Sequence, residues 1–473
     1  MSDIDARQIE RMKSLLASQQ DAFARDRHRP LNERKADLEA VQTLTAAHAG
    51  EIADAIASDY GVRSKAETQL GEIGFVLASA KHALKNLDKW AKPQKASVPM
   101  TLAPGKAYVR REPKGVAGIV SPWNYPYQLA IAPLIAALAA GCRAMIKPSE
   151  YTPATAELMQ RLLGERFSED QVAVVTGGPS VGEAFTALPF DHLFYTGSTH
   201  VGRIVAKAAA ENLTPVTLEL GGKSPAIVTE SYETKDLMKP LAWGKFFNAG
   251  QTCVAPDYVL VPNRRVEEIG EALIATVSDF YPDLSSDDDY TAIVSQKHYD
   301  RLSGMIEEAR AAGARILQPE HDAEAARAAR KIPPTVILNL PEDSPLMQEE
   351  IFGPVLPVLG YELLSGAIDF VNGRDRPLAL YVFSKEKSQS RRVLEQTMSG
   401  GASVNATMLH LSVEDMPFGG VGKSGYGAYH GERGFLEFTH ERSVFEAPVW
   451  HPSRLIAPPY GKMFDFIAGL QKR

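Results

Sequence analysis

Near the start of the chain, apolar residues recur at helical spacing. Leu38, Val41, Leu44, Ile52 and Ile56 would share one face of a helix over residues 36–60, with Gly61 as its C-cap. A second helix is expected over residues 70–90. The stretch KPQKASVPMTLAPGK, rich in Pro, Ser and Lys, reads as a loop. AYVRREP then alternates like an exposed strand that ends at Pro113.

The middle of the chain alternates strands with helices. GVAGIV, RAMIKP, QVAVVTG and HLFYTG read as strands, with helices over residues 128–140, 153–163, 181–187 and 201–209. That alternation predicts a parallel sheet covered on both faces, with ligands at the carboxyl ends of the strands. A second α/β region begins near Gly221 and holds PAIVTE, DYVLVP, ARILQP and PTVILN as strands. The polar, Ala-rich residues 322–331 read as a surface helix or loop. The most apolar stretch, residues 127–146, is long enough to cross a bilayer. Pro133, Gly141 and Arg143 interrupt it, so a buried helix turning into a buried strand is expected.

Composition narrows the class. The chain has 473 residues, 44% hydrophobic and 23% charged, which is ordinary for globular proteins and points to several domains. A net charge of −7 argues against nucleic acid or an anionic membrane as the main partner. Cys142 and Cys253 are the only cysteines, a poverty that fits a reducing compartment, the cytoplasm. The opening MSDIDARQIERMKS is charged and does not read as a signal peptide. His192, His200, His410 and His430 show no ligand-like clustering, so no metal is expected.

Three residues could carry chemistry. Cys253, in FFNAGQTCVAP, could attack a carbonyl as a thiolate, although by itself it reads equally well as a small core residue. Glu219, in VTLELGGKSP, ends a strand and could activate water if burial raises its pKa; a salt-bridged strand-end acid is the plainer alternative. Asn124, in IVSPWNYPY, could donate to an oxyanion or simply occupy a turn. Cys142, among Ala and Gly at a helix end, reads as structural. TGSTHVG follows a strand and opens a helix, so its amides could hold a pyrophosphate. GGVGKSG looks like a phosphate-binding loop, but Pro417 stands where that pattern needs glycine, and ATP binding there is discarded.

The segments SPWNYP, KPSE, YTGSTHVG, ELGGK, NAGQTC, EEIFGPV and PFGGVGKSG, in that order, resemble the aldehyde dehydrogenase superfamily. SVNATMLH and HGERGFLEFTHERSV are similar to its class 3 branch of aromatic and fatty aldehyde dehydrogenases, and within it to the bacterial coniferyl aldehyde dehydrogenases. The resemblance implies an α/β fold made of a Rossmann-like cofactor domain, an α/β catalytic domain and a small β oligomerisation element. The NAD(P)-binding domain would take residues 1–95 and 113–221, the catalytic domain residues 222–399. The oligomerisation element and C-terminal tail would take residues 96–112 and 400–473. A homodimer acting on a small-molecule aldehyde is implied.

The implied chemistry is NAD(P)-dependent oxidation of an aldehyde to its acid through a thioester on Cys253. Asn124 would hold the oxyanion and Glu219 would activate the hydrolytic water. Lys147 and Glu150 would meet the adenosine ribose, and Ser198, with the helix start from Gly197 to Gly202, the pyrophosphate. Glu350 would hold the nicotinamide ribose and Phe352 would pack near the nicotinamide; Pro122, Trp123, Ser149 and Leu220 complete the cofactor set. Glu150 favours NAD by repelling a 2′-phosphate, whereas Lys147 and Ser149 could welcome NADP. Trp123, Tyr125, Tyr127, Phe247 and Phe418 would border a substrate tunnel suited to aromatic aldehydes such as coniferaldehyde or to medium-chain aliphatic ones. Near the end, Met463, Phe464, Phe466, Ile467 and Leu470 could form a short apolar stripe packed on a partner subunit or near the tunnel mouth. Two rival readings stand beside this one. A CoA-acylating dehydrogenase would have no use for Glu219 as a water-activating base, and a non-catalytic scaffold protein would have no use for Cys253, Glu219 and Asn124 together.

Overall fold

Two largely parallel sheets and a small antiparallel one organise the chain. The structure, a computed structural model, describes residues 3–449 and 457–470.

The first sheet has six strands in the order Gly425–Tyr426, Val216–Leu220, His192–Gly197, Val116–Val120, Arg143–Lys147, Val172–Val174. All pair in parallel except Gly425–Tyr426, which closes one edge antiparallel to Val216–Leu220. The apolar stretch resolves into the buried helix Gln128–Ala140 and the central strand Arg143–Lys147. Gly141 makes the corner at φ +90°, where a Cβ would come within 2.8 Å of Arg34 Nε. Among the described residues no helix is long and apolar enough to cross a membrane.

The second sheet has seven strands, ordered Arg315–Leu317, Thr335–Leu338, Val355–Tyr361, Tyr258–Pro262, Pro225–Val228, Ala379–Phe383, Gly401–Val404. Arg315–Leu317 runs antiparallel and the rest are parallel. Here two sequence expectations need correction. Val355–Tyr361 and Ala379–Phe383 are strands that had no separate signal. Gly401–Val404, expected in the oligomerisation element, instead pairs with Ala379–Phe383. The glycines before it are a close crossing of two chains rather than a boundary: a Cβ on Gly400 would stand 2.3 Å from the carbonyl oxygen of Gly419.

The helix expected over residues 36–60 is two helices, Leu31–Ala47 and Ala49–Tyr60, broken at His48. The second packs on Pro153–Arg166 while the first packs on Phe75–Trp90, so one straight rod could not serve both contacts. Gly61 ends the second helix at φ +81°. Before Phe75–Trp90 lies a π-helical turn, Gln69–Gly74. The expected loop before residue 106 contains the strand Gln94–Ala96, which joins Lys106–Pro113 and Thr439–Glu446 in an antiparallel three-stranded sheet. Asp322 caps the short helix Ala323–Ala328. The terminal helix Lys462–Leu470 leaves Met463 and Phe466 exposed, and the side chains of Ile467 and Leu470 lie outside the described residues.

Candidate active site

The loop that delivers Cys253 is built from unusual backbone. Asn248, Ala249 and Gly250 follow one another at φ +53°, +49° and +70°. Such strain persists only where the surroundings enforce it. A Cβ on Gly250 would sit 2.3 Å from the carbonyl oxygen of Gly353, so only glycine fits there. Gln251 ties the turn down: its Nε2 donates to the carbonyls of Asn248 and Ala292 (both 3.1 Å), and its Oε1 accepts from the amide of Val294 (3.1 Å).

Asn124 meets this loop from the other sheet. Its Nδ2 donates to the carbonyl of Gln251 at 3.1 Å, which uses one of its two amide hydrogens. The backbone behind it is clamped by residues that have no motif. Arg63 donates to the Asn124 carbonyl (3.0 Å), as do Tyr60 (3.2 Å) and Asn248 Nδ2 (3.1 Å). Glu72 Oε2 accepts the amides of Tyr127 and Gln128 (3.1 and 2.7 Å), and Glu67 accepts the amide of Asn248 (2.8 Å). Arg63 and Glu72 lie 3.8 Å apart with no side-chain exposure. Burial pushes both Glu67 and Glu72 up to about 7, against the pull of Arg63.

Glu219 sits buried near the end of its strand, opposite Thr196 on one side and Gly425 on the other. Neither carboxyl oxygen has a hydrogen-bond partner in the protein. Burial, with the charge of Glu437, therefore holds it well above the usual carboxylate range. The Cys253 thiol is also pushed up, first by burial and then by the nearby Glu350 and Glu219, while the amides of Cys253 and Val254 point at the sulfur. Cys142 forms a contrast: it is fully enclosed, its Sγ donates to the Phe438 carbonyl (3.3 Å), and burial lifts it to about 11.

Cys253 opens onto a cavity of about 290 Å³ whose wall includes six aromatic side chains, Phe75, Tyr125, Trp243, Phe247, Phe418 and Tyr429. Tyr125 stacks on Phe247, with ring centres 6.5 Å apart, and its hydroxyl meets Thr252 Oγ1 at 2.7 Å. Two expected wall residues are elsewhere. Tyr127 is buried and bonded to Thr45 Oγ1 (2.8 Å), and Trp123 packs edge-on against Phe352 (5.3 Å) and His298 (4.9 Å). Residues 123–127 run through bends and a turn into the helix, so adjacency to Asn124 did not put all of them on the cavity. A larger groove of about 730 Å³ lies beyond strand Val355–Tyr361 and holds none of these groups.

On the other side of the cysteine loop, the carboxyl ends of the first sheet present a set of groups that fits a dinucleotide. Lys147 pairs with Glu150 at 3.7 Å, which offers donor and acceptor together to ribose hydroxyls. Ser198 caps helix Thr199–Ala210 by accepting from the amide of Val201 (3.3 Å), so the helix start points its amides outward. Gly221 lies against Glu350, where a Cβ would come within 2.1 Å of Oε2. Glu350 is raised to about 8, chiefly by burial and then by Asp257. Lys223, ion-paired to Asp257, donates to the carbonyls of Leu346 (2.7 Å) and Glu349 (2.9 Å) and so holds the Glu350–Phe352 loop in place. Phe352 itself has φ +49°.

The sequence profile described as the aldehyde dehydrogenase family matches residues 1–444. The chain belongs to the aldehyde dehydrogenase family. A probable coniferyl aldehyde dehydrogenase of Pseudomonas aeruginosa is 49% identical over 455 residues, 96% of this chain and 95% of that protein. A dimeric, NADP-preferring aldehyde dehydrogenase of Rattus norvegicus is 39% identical over 89% of this chain and 92% of its own. The substrate-bound structure of Staphylococcus aureus AldH superposes with a TM-score of 0.92 at 40% identity, covering 97% of this chain and 99% of that one. The aldehyde dehydrogenase fold is therefore the fold of this chain. The protein is an oxidoreductase that oxidises aldehydes with a nicotinamide cofactor, and the CoA-acylating and non-catalytic readings are not favoured.

Proposed function

We propose that this aldehyde dehydrogenase converts an aromatic aldehyde of the coniferaldehyde type to its acid through a thioester on Cys253. The observation that carries this is the cavity that Cys253 opens onto, with the Asn124 amide bonded to the turn just before the cysteine and the partnerless carboxyl of Glu219 close enough for its charge to act on the thiol. Cys253 attacks as the thiolate, its proton having passed to solvent through the cavity it opens onto. The thiolate adds to the aldehyde carbon, and the remaining Asn124 hydrogen with the Cys253 amide holds the oxyanion, each such donor supplying about 3–4 kcal/mol in the transition state. The nicotinamide cofactor, held by the residues named below, would supply the acceptor for the hydride expelled as the oxyanion collapses, and Cys253 keeps the acyl group on its sulfur. Glu219 then takes a proton from water, which attacks the thioester, and the acid departs as Cys253 is regenerated.

Pro122, Trp123, Lys147, Ser149, Glu150, Gly197, Ser198, Gly202, Leu220, Glu350 and Phe352 would hold the cofactor. Glu150 beside Lys147 favours NAD, because its charge opposes a 2′-phosphate. Tyr125, Phe247 and Phe418 would guide the substrate. The two domains and the oligomerisation element follow the three sheets, and the exposed three-stranded sheet is the surface assigned to a homodimer. Both thiols are free, in keeping with a cytoplasmic setting.

The test follows reduced-cofactor absorbance with NAD and with NADP against coniferaldehyde, hexanal and acetaldehyde. Turnover fastest with coniferaldehyde and NAD is expected, and none in Cys253→Ala. Turnover that survives in Cys253→Ala would overturn the thioester route, and preference for hexanal would overturn the substrate class.

A further inference from the structure

One polar side chain in the cavity is left over by this mechanism. His430 shares the cavity with Cys253 and is 7% exposed, yet neither ring nitrogen has a hydrogen-bond partner in the protein. Leaving a buried donor or acceptor unpaired is costly. An imidazole always carries at least one N–H, and the neutral ring adds one acceptor. Burial keeps this ring neutral by pushing it down to about 3. The neutral ring therefore has a donor and an acceptor for a group that comes within reach of its nitrogens, which neighbouring side chains cover.

The ring is also held fixed. It stacks on Phe418 (centres 5.2 Å apart, 17° between planes), lies tilted on Phe75 (5.2 Å) and edge-on to Tyr429 (4.5 Å). Its backbone is at φ +76°, a conformation a histidine adopts only under constraint. Phe418 and Tyr429 exchange two backbone hydrogen bonds (2.8 and 2.7 Å), so the segments that clamp the ring are themselves tied together. The wall around it is aromatic and aliphatic, from Leu70, Leu129 and Trp243 to Met408 and Leu411. An alkyl chain would fill that space and leave the imidazole unsatisfied. A hydroxyl both donates and accepts, so it suits either tautomer.

We propose that His430 is a specificity-determining residue that hydrogen-bonds a hydroxyl group on the ring of an aromatic aldehyde. This rests on the reading of the cavity as the aldehyde site and names the substrate feature that site selects. A site built to bond a hydroxyl discriminates far more strongly than an apolar pocket does.

The experiment compares coniferaldehyde with cinnamaldehyde, which has the same skeleton without ring oxygens, in the wild type, His430→Phe and His430→Asn. The wild type is expected to favour coniferaldehyde in kcat/KM. In His430→Phe that ratio should fall about tenfold or more, through KM and kcat/KM for coniferaldehyde, while cinnamaldehyde turnover holds or improves. His430→Asn keeps a donor and an acceptor and tolerates positive φ, so it should retain part of the preference. An equal loss on both aldehydes in both variants would overturn the proposal, since a ring that only supports the fold affects the two alike. An unchanged ratio in His430→Phe would overturn it too. Wild-type turnover of cinnamaldehyde that vanishes in Cys253→Ala shows the aldehyde site itself to be sound, so failure of the His430 proposal is separable from failure of the site.

Discussion

The acids buried behind Asn124 and the one buried near Cys253 are treated in opposite ways. Glu67 and Glu72 are supplied with backbone amides and with Arg63. Glu219 receives nothing from the protein. A buried charge that is paired and hydrogen-bonded holds geometry, whereas one left unpaired is costly and persists where chemistry uses it. The first cluster sets where Asn124 and the strained Asn248–Gly250 turn stand. The second leaves a carboxyl that burial raises well above its usual range.

The largest effect that would break this contrast is loss of the nucleophile. Cys253→Ala should lower kcat by at least about 10⁴-fold while the melting temperature stays close to that of the wild type. Glu219→Gln should lower steady-state kcat about 10²–10⁴-fold yet leave a burst of reduced cofactor, because the thioester forms and is not hydrolysed. Stopped-flow absorbance distinguishes burst from loss. In the wild type the rate should climb as pH rises through a value above the usual carboxylate range.

The same variant carries a stability prediction of opposite sign. The folded-state pKa of Glu219 is raised above its unfolded value. Its contribution is therefore most favourable below the unfolded carboxylate pKa, about 4.3, and is lost as pH rises through the folded value. Urea melts should show Glu219→Gln gaining on the wild type with rising pH. Arg63→Met should do the reverse and destabilise by about 3–5 kcal/mol, since it leaves Glu72 without its counter-charge and removes one of three donors to the Asn124 carbonyl. If Arg63→Met proved neutral and Glu219→Gln destabilising, the distinction between the two clusters would collapse.

Smaller effects sharpen the picture at its edges. Ser198→Ala should cost about 1 kcal/mol through the lost helix cap and raise the cofactor KM without moving the aldehyde KM. Cys142→Ala should cost about 1 kcal/mol and leave kcat unchanged, and thiol labelling should then still stop at one residue, Cys253.

Local pattern carried most of the fold. Helix 128–140 and the strands around 116–120, 143–147 and 192–197 are where hydrophobic runs and turn residues put them. The misses share one cause. His48 breaks a helix whose apolar period never falters, because the two halves pack on different neighbours. Gly401–Val404 pairs with a strand that gave no separate signal of its own. Tyr127 is separated from Tyr125 only by Pro126 but points into the core.

The sequence by itself determined which reactive groups exist and what backbone delivers them: a cysteine after a turn that needs Gly250, an acid at a strand end, a serine at a helix start. These are properties of a few adjacent residues, and short-range sterics and hydrogen bonding decide them. Only the tertiary structure decided which groups meet and which are left without partners. Arg63 reaches Asn124, Glu67 reaches Asn248 and His430 stands beside Cys253 across long stretches of chain. Burial, which raises Glu219 and keeps His430 neutral, is a property of the packed whole, because desolvation depends on every element that closes over a group and on none of them alone.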